Sequence, residues 1–144
     1  MSDASDNLEN DLMLLLFNAT NWANVADNAA SSPVTVWYLS LHTSTGPGEA
    51  GNQTTNAAAY TSYARTGVNR NSGGWSVTGG VVSPVANIDF AAATGGSETE
   101  TYFGWGNSSS GSGRLQGFGA ISPTIAVTTG TTPRLTTATT ITMS

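Results

Sequence analysis

The stretch Val34–Thr43, VTVWYLSLHT, decides the fold class. Six of its ten residues are Val, Trp, Tyr or Leu, side chains that suit a pleated, half-buried surface. Read with period two, one face carries Thr35, Trp37, Leu39, Leu41 and Thr43. The other carries Val34, Val36, Tyr38, Ser40 and His42. Both faces begin apolar, so the stretch reads as an interior strand covered on both sides. Pro33 opens it, and the loop Gly46-Pro47-Gly48 follows its end.

Downstream, the alternation predicts further strands over Tyr60–Asn69, Trp75–Val77, Val85–Ala91, Glu98–Trp105, Arg114–Ile121, Thr124–Thr129 and Pro133–Met143. Pro84 stands where the 85–91 strand begins, and Ser122-Pro123 bends the chain between the next pair. The last segment sets Leu135, Thr137, Thr139, Ile141 and Met143 against Arg134, Thr136, Ala138, Thr140 and Thr142. Asn71-Ser72-Gly73-Gly74, Thr94–Ser97 and Gly130 mark turns. Gly106–Gly113, GNSSSGSG, has the composition of a flexible loop. Residues 44–59 form a long polar loop of the kind that carries interactions. Spacing of this sort predicts a mainly β protein: a single antiparallel β-sandwich, jelly-roll-like, with about eight strands.

Upstream, Asp6-Asn7-Leu8-Glu9 has the form of a capping box, and its two acids favour a helix N-terminus. Leu8, Leu12, Leu15, Leu16 and Ala19 then recur at helical spacing, with Met13 and Phe17 widening the apolar face. The expected helix runs from about Asn7 to Asn18. Trp22–Ala30 reads as a second short turn, and Ser31-Ser32-Pro33 ends helical structure. The organisation expected is an N-terminal helical arm, 1–33, on a β-sandwich, 34–144, together one structural unit. A lone helix on a small sandwich needs one buried stripe. Leu12–Phe17 is apolar almost all round, which points to a second face meeting another subunit.

Charged residues make up 9% of the 144-residue chain, against roughly 25% in an ordinary soluble protein. There are four arginines and no lysine, and the net charge is −5. Asp3, Asp6, Glu9 and Asp11 hold four of the nine acids. With only Arg65, Arg70, Arg114 and Arg134, no basic stripe for nucleic acid can be assembled. Cysteine is absent, which removes disulfides, thiolate catalysis and cysteine metal sites. The apolar run Leu12–Phe17 is too short for a membrane span and lacks a signal's basic flank. Synthesis in a cytoplasm is expected, with no membrane partner.

His42 is the only histidine. No nucleophile elbow or calcium loop accompanies it, so it reads as a strand-end residue satisfied by backbone. Asp89, Glu98 and Glu100 could form a carboxylate pair on adjacent strands, or simply line solvated faces around a turn. No glycine pattern cradles phosphate. Trp37, Trp75, Trp105, Tyr38, Tyr60, Tyr63 and Tyr102 suit core packing, or stacking on sugar rings if exposed. The reading is therefore of a non-enzyme with no catalytic residues, no cofactor and no metal.

These stretches, taken in order over about residues 8–143, resemble a family of short tailed-phage virion proteins. Its members are tail-fibre-like or capsid decoration (cement) proteins. The resemblance is carried by the N-terminal helix, Trp37–Thr43, Gly46–Gly51, Tyr63-Ala64-Arg65, Asn87–Phe90, Gly113-Arg114-Leu115 and the turn at Gly130. One departure is Gly46, where the family often has an acidic residue before the loop proline. The resemblance implies a virion structural protein, and the compact length favours a decoration protein on the outer capsid surface that bridges capsomers. The alternative it leaves is a tail-fibre or receptor/glycan-binding module. The implied partners are the major capsid protein and copies of itself, as a homo-oligomer such as a trimer. The contact residues expected are Leu8, Leu12, Met13, Leu15, Leu16, Phe17 and Trp22 on the helical region, with Pro47, Glu49 and Asn52 on the long loop.

Overall fold

A computed structural model describes residues 4–142; the place of Met143 on the last strand lies outside them. The fold is mainly β with a single helix, as the alternation predicts. Helix α1 spans Asp6–Asn18. Nine strands follow: β1 Val36–Thr43, β2 Thr66–Asn69, β3 Trp75–Thr78, β4 Val81–Pro84, β5 Ile88–Asp89, β6 Glu98–Gly106, β7 Leu115–Val127, β8 Arg134–Leu135 and β9 Ile141–Thr142. They form a four-stranded sheet in the order β2-β1-β6-β7, a three-stranded sheet β3-β4-β9 and a two-stranded sheet β5-β8. The β1–β6, β6–β7, β3–β4 and β4–β9 pairings are antiparallel.

The chain forms two compact units, each assembled from separated segments. The first takes the chain up to Thr35, residues Asn69–Ile88 and the chain from Leu135 on. The second takes Val36–Val68 and Asp89–Arg134. The expected arm, 1–33, is thus part of a larger body. Its helix packs on β3 and β4, because the apolar face of α1 needs cover and the β3–β4 hairpin supplies it.

In the first unit Met13 and Phe17 are buried with Trp75, Val82, Ile88 and Leu135. Phe17 and Trp75 meet edge to face at 5.0 Å. The cap of α1 is Ser5, one residue before the expected Asp6: its Oγ accepts from the Leu8 amide. Ser5 Oγ and Ser5 O then satisfy the Leu8 and Glu9 N–H groups, and the third helical residue is Leu8, whose side chain cannot return a bond to the cap. The β3–β4 turn is Gly79-Gly80, both with positive φ, 58° and 75°. Two such residues make the hairpin turn whose twist matches the flanking strands. This turn folds Val81–Pro84 back on β3, so Pro84 ends a strand where the alternation had it begin one. The expected strand over 85–91 shrinks to Ile88–Asp89. The short turn expected after Trp22 is a bridge, with Trp22 and Ala26 exchanging backbone bonds of 2.8 and 2.9 Å.

In the second unit β1 is interior, between β2 and β6, and Trp37, Leu39, Ser40, Leu41 and His42 are all buried. The strand covered on both faces is realised. Trp37 and Trp105 meet edge to face at 5.1 Å. Of the 60–69 segment only Thr66–Asn69 is strand. Before it, the Tyr63 hydroxyl accepts the Leu41 amide at 2.9 Å, so a side chain replaces a strand partner beside β1.

Two expected segments differ. Residues 115–127 are one strand, β7, and the expected bend at Ser122-Pro123, a cis peptide, appears as an irregularity inside it. There Glu100 faces Ile125 while Tyr102 faces Ala120. The clean alternation over 133–143 is broken by a turn: Thr139 N–H bonds Thr136 O at 2.9 Å, and the Ala138 amide reaches Thr136 Oγ1 at 3.3 Å. Threonine hydroxyls offer the backbone local partners that compete with a ladder, and periodicity alone does not register that competition.

Candidate functional site

Polar side chains are concentrated in the second unit, around β1, β6 and two loops. Ser40, His42, Gln53 and Glu100 are fully buried there. His42 Nδ1 lies 2.9 Å from Thr55 O, and Nε2 lies 2.8 Å from Ser40 Oγ. A carbonyl only accepts, so Nδ1 carries the proton and Nε2 receives the Ser40 hydroxyl. Burial lowers the His42 pKa, Arg65 lowers it further, and the Thr55 carbonyl partly offsets them; the ring is held neutral. Hydroxyl, imidazole and orienting carbonyl have the connectivity of a nucleophile, base and orienter. Both Ser40 and His42 are closed to solvent, so the arrangement works as a cross-brace between β1 and the 44–59 loop. Gly104 makes it possible: a Cβ there would stand 2.7 Å from Leu115 Cδ1 and 2.9 Å from His42 Nε2.

The three carboxylates singled out in the sequence go to three different environments. Asp89 pairs with Arg134, Oδ2 accepting from Nη2 at 2.8 Å with a second bond from Nε to Oδ1. That hydrogen bond holds the exposed Asp89 carboxyl below its usual range. Glu98 Oε1 accepts from the amides of Ala59 and Tyr60, both at 2.8 Å. Glu100 is sealed, and neither of its oxygens has a hydrogen-bond partner. Burial first, and then the neighbouring Glu98, push the Glu100 carboxyl up to about 8. Glu100 is therefore a neutral acid at pH 7. Tyr60 and Tyr63, which feel Glu100, are raised to about 12, mainly by burial.

Arg65 organises the loops. Nη1 donates to Ser108 O at 2.9 Å, and Nη2 donates to Gln53 O at 2.9 Å and Gly111 O at 2.6 Å. Gln53 complements it: Nε2 donates to Tyr38 O, and Oε1 accepts from the Ser108 amide, both at 3.2 Å. The 107–113 loop, glycine- and serine-rich and read as flexible, is thus tied down by a guanidinium and a buried amide. Gly106 and Gly113 leave room for Gln53, whose Oε1 would lie 2.6 and 2.4 Å from a Cβ at these positions. No signal in the sequence marks Gln53 as a buried organiser. Tyr63 and Arg65 stand out in the sequence only as an aromatic, one of four arginines and part of the family resemblance, with nothing that marks Arg65 as a loop anchor.

In the first unit, Arg70 plays the corresponding part. Nε donates to Leu16 O at 2.6 Å and Nη2 to Leu15 O; Nη1 donates to Asn28 Oδ1 at 2.7 Å and Val34 O at 3.0 Å. The last turn of α1 has no basic residue of its own, and Arg70 supplies the cation its orphan carbonyls favour.

The expected contact residues are distributed unevenly. Met13 and Phe17 are spent in the core. Leu12, Leu15, Leu16 and Trp22 are half-buried, and Leu8 is exposed. On the loop, Pro47 is buried, Asn52 half-buried and Glu49 exposed. Gly46 is pressed on Tyr102, where a Cβ would come within 2.6 Å of the ring. Exposed apolar residues that the sequence reading did not single out are Val25, Val81, Val85 and Phe118. Among the described residues no group of three or more metal-ligating side chains exists, and no helix is long and apolar enough to cross a membrane.

The chain belongs to a family of short-tailed phage virion proteins: the sequence profile described as Podophage GP4 fiber I protein gp80 matches residues 3–143. No curated protein matches the chain significantly.

Proposed function

We propose that this chain is a fibre-type structural component of a podophage virion, acting through protein contacts and without a chemical step. The family match over residues 3–143 carries this reading. The internal use of polar groups supports it: the serine, histidine and glutamate that chemistry would need are sealed in the second unit. Arg65 is bonded to backbone carbonyls and Arg134 to Asp89, which leaves a surface dominated by hydroxyls and amides. Such a surface suits packing against other virion proteins, where many weak contacts add up by multivalency.

A second reading, decoration of the outer capsid surface through the major capsid protein and neighbouring copies, is favoured by compactness. The longest strand, β7, has 13 residues, about 43 Å at full extension, and there is no repeat from which to build a shaft. Stoichiometry and position in purified virions separate the two. A few copies per particle, with antibody label at the tail, identify a fibre. Abundance near that of the major capsid protein, with label over the head, identifies decoration. Absence of the polypeptide from washed virions would sink both.

A further inference from the structure

β7 is the longer of the two edge strands of the four-stranded sheet, 13 residues against four in β2. The strand closes one side of the four-stranded sheet, and among the described residues β6 is its only strand partner. Edge strands in natural proteins are kept short, charged, proline-capped or covered. β7 is long, Leu115–Val127 contains no charged residue, and its one proline, Pro123, lies beyond the stretch Leu115–Ile121. Irregularities in the β6–β7 register, at Glu100/Tyr102 and at Trp105/Gly106, bracket a straight stretch in which Gly117–Ala120 face Trp105–Tyr102.

The sequence around that stretch is nearly symmetric about Phe118: Leu115-Gln116-Gly117-Phe118-Gly119-Ala120-Ile121. Turned end for end, glycine meets glycine, leucine meets isoleucine, and Phe118 meets itself. The glycines are demanded from inside: a Cβ at Gly117 would stand 2.7 Å from Trp105 Nε1, and one at Gly119 would stand 3.0 Å from Phe103 Cε1. Aromatic rings laid over edge glycines keep such a strand ordered. On the outer face Phe118 is 37% exposed and has an aromatic neighbour on one side only, Tyr102 at 6.2 Å.

We infer that β7 pairs antiparallel with β7 of a second copy, about a two-fold axis at Phe118, so that the two four-stranded sheets become one. An isologous contact requires a surface complementary to itself. This edge meets the requirement in backbone direction, in side-chain order and in charge. With the axis at Phe118, Arg114 of one copy falls opposite residue 122 of the other, so the two guanidinium groups stand at opposite ends of the paired stretch. Phe118 of each copy then fills the open side of the other's Phe118–Tyr102 pair. The inference stands independently of whether the virion role is fibre or decoration.

The absence of cysteine makes a direct test possible on the full-length chain. Residues directly opposite in an antiparallel pair have Cα atoms about 4.5–5.5 Å apart, within the range a disulfide spans. Phe118→Cys, oxidised gently, should give a disulfide-linked dimer. Ala120→Cys and Ala126→Cys, off the axis on the same strand, should remain monomeric on a non-reducing gel. Unmodified protein should sediment at twice the chain mass over a dilution series. Ala120→Lys, an exposed change beside the axis, should sediment as a monomer with unchanged circular dichroism. An unmodified protein that sediments as a monomer, or cross-linking no faster at Phe118→Cys than at the other two positions, overturns the proposal; so does an Ala120→Lys variant that folds and still self-associates.

Discussion

Arg70 Nε donates to the carbonyl of Leu16, 54 residues earlier in the chain, at 2.6 Å. The bond turns a residue at the end of β2 into the C-terminal cap of α1. Its acceptors include three backbone carbonyls and the Asn28 side-chain oxygen, all neutral. Burial lowers the Arg70 pKa, and the helix end and the fork of donors match in geometry.

Arg70→Ala should therefore cost about 3 kcal/mol of unfolding free energy, since several acceptors lose a charged donor at once. Arg70→Lys should recover less than half of that, because a single ammonium cannot reproduce the fork. Urea denaturation followed by Trp fluorescence reports both. An Arg70→Lys variant as stable as the parent would show that charge alone, and not the fork, serves the helix end.

Gly104→Ala tests the buried brace. Its Cβ has no room beside Leu115, His42 and Ser40. Overpacking of this kind costs about 1–3 kcal/mol. Gly111→Ala is a comparison with open space around the Cβ but a φ of 70°, so it should cost about 1 kcal/mol from backbone strain alone. Equal losses in thermal unfolding would mean that β6 moves aside readily.

The pH dependence of stability follows from Glu100 and His42, whose signs oppose. Glu100 has a folded pKa of about 8 against an ordinary 4.5. Between those values the unfolded state has already lost the proton that the folded state keeps. Stability from this group therefore falls as pH rises, by up to about 1.4 kcal/mol per unit, and levels off above about 8. His42 has a folded pKa below its ordinary 6.5, so the unfolded state takes up the proton first as pH falls through 6.5, and stability is lost on the acid side. Just below pH 6.5 the two slopes oppose each other; from 6.5 to about 8 the Glu100 slope remains. Denaturant titrations across pH 5–9 should show a fall between about 6.5 and 8 that is shallower just below 6.5 and levels off above about 8. Glu100→Gln should remove the fall, and persistence of the fall in that variant would assign it elsewhere.

Arg65→Met should loosen the loops and spare the sheet. Loss of the bonds to Ser108, Gln53 and Gly111 should raise amide exchange at least tenfold over residues 107–113, equivalent to about 1.4 kcal/mol of local opening. Amides of β1 and β6 should keep their protection. Uniform acceleration across the second unit would mean that Arg65 supports the global fold.

Much of the architecture was legible because it rests on local repetition. Period-two alternation located β1, β3 and β6 within a few residues, and helical spacing located α1. The Gly79-Gly80 turn was also readable, as two glycines between β-branched residues, although it passed unread. The misreadings share a cause. Over Tyr60–Asn69 and 133–143 the alternation is real, but side chains compete for the backbone: Tyr63 hydroxyl occupies an amide of β1, and Thr136 closes a turn. The carboxylates were flagged as a set, and the structure separates them into an ion pair, a backbone acceptor and a sealed acid. Burial sets that difference, and burial is invisible in a list of residue types.

The stretch VTVWYLSLHT carried in its own composition the information that it would be a strand with both faces covered. The chain alone likewise determined a mainly β fold, one amphipathic helix and the absence of cysteine chemistry. These are matters of period and composition, which each segment expresses without knowing its neighbours. Tertiary structure alone decided that Arg70 caps a helix 54 residues away, that Arg65 and Gln53 hold a glycine-serine loop, that Glu100 stays neutral, and that β7 ends its sheet with an open edge. Each depends on which distant groups are brought within a few ångströms and shielded from water, and hydrogen bonding and desolvation act only over that range.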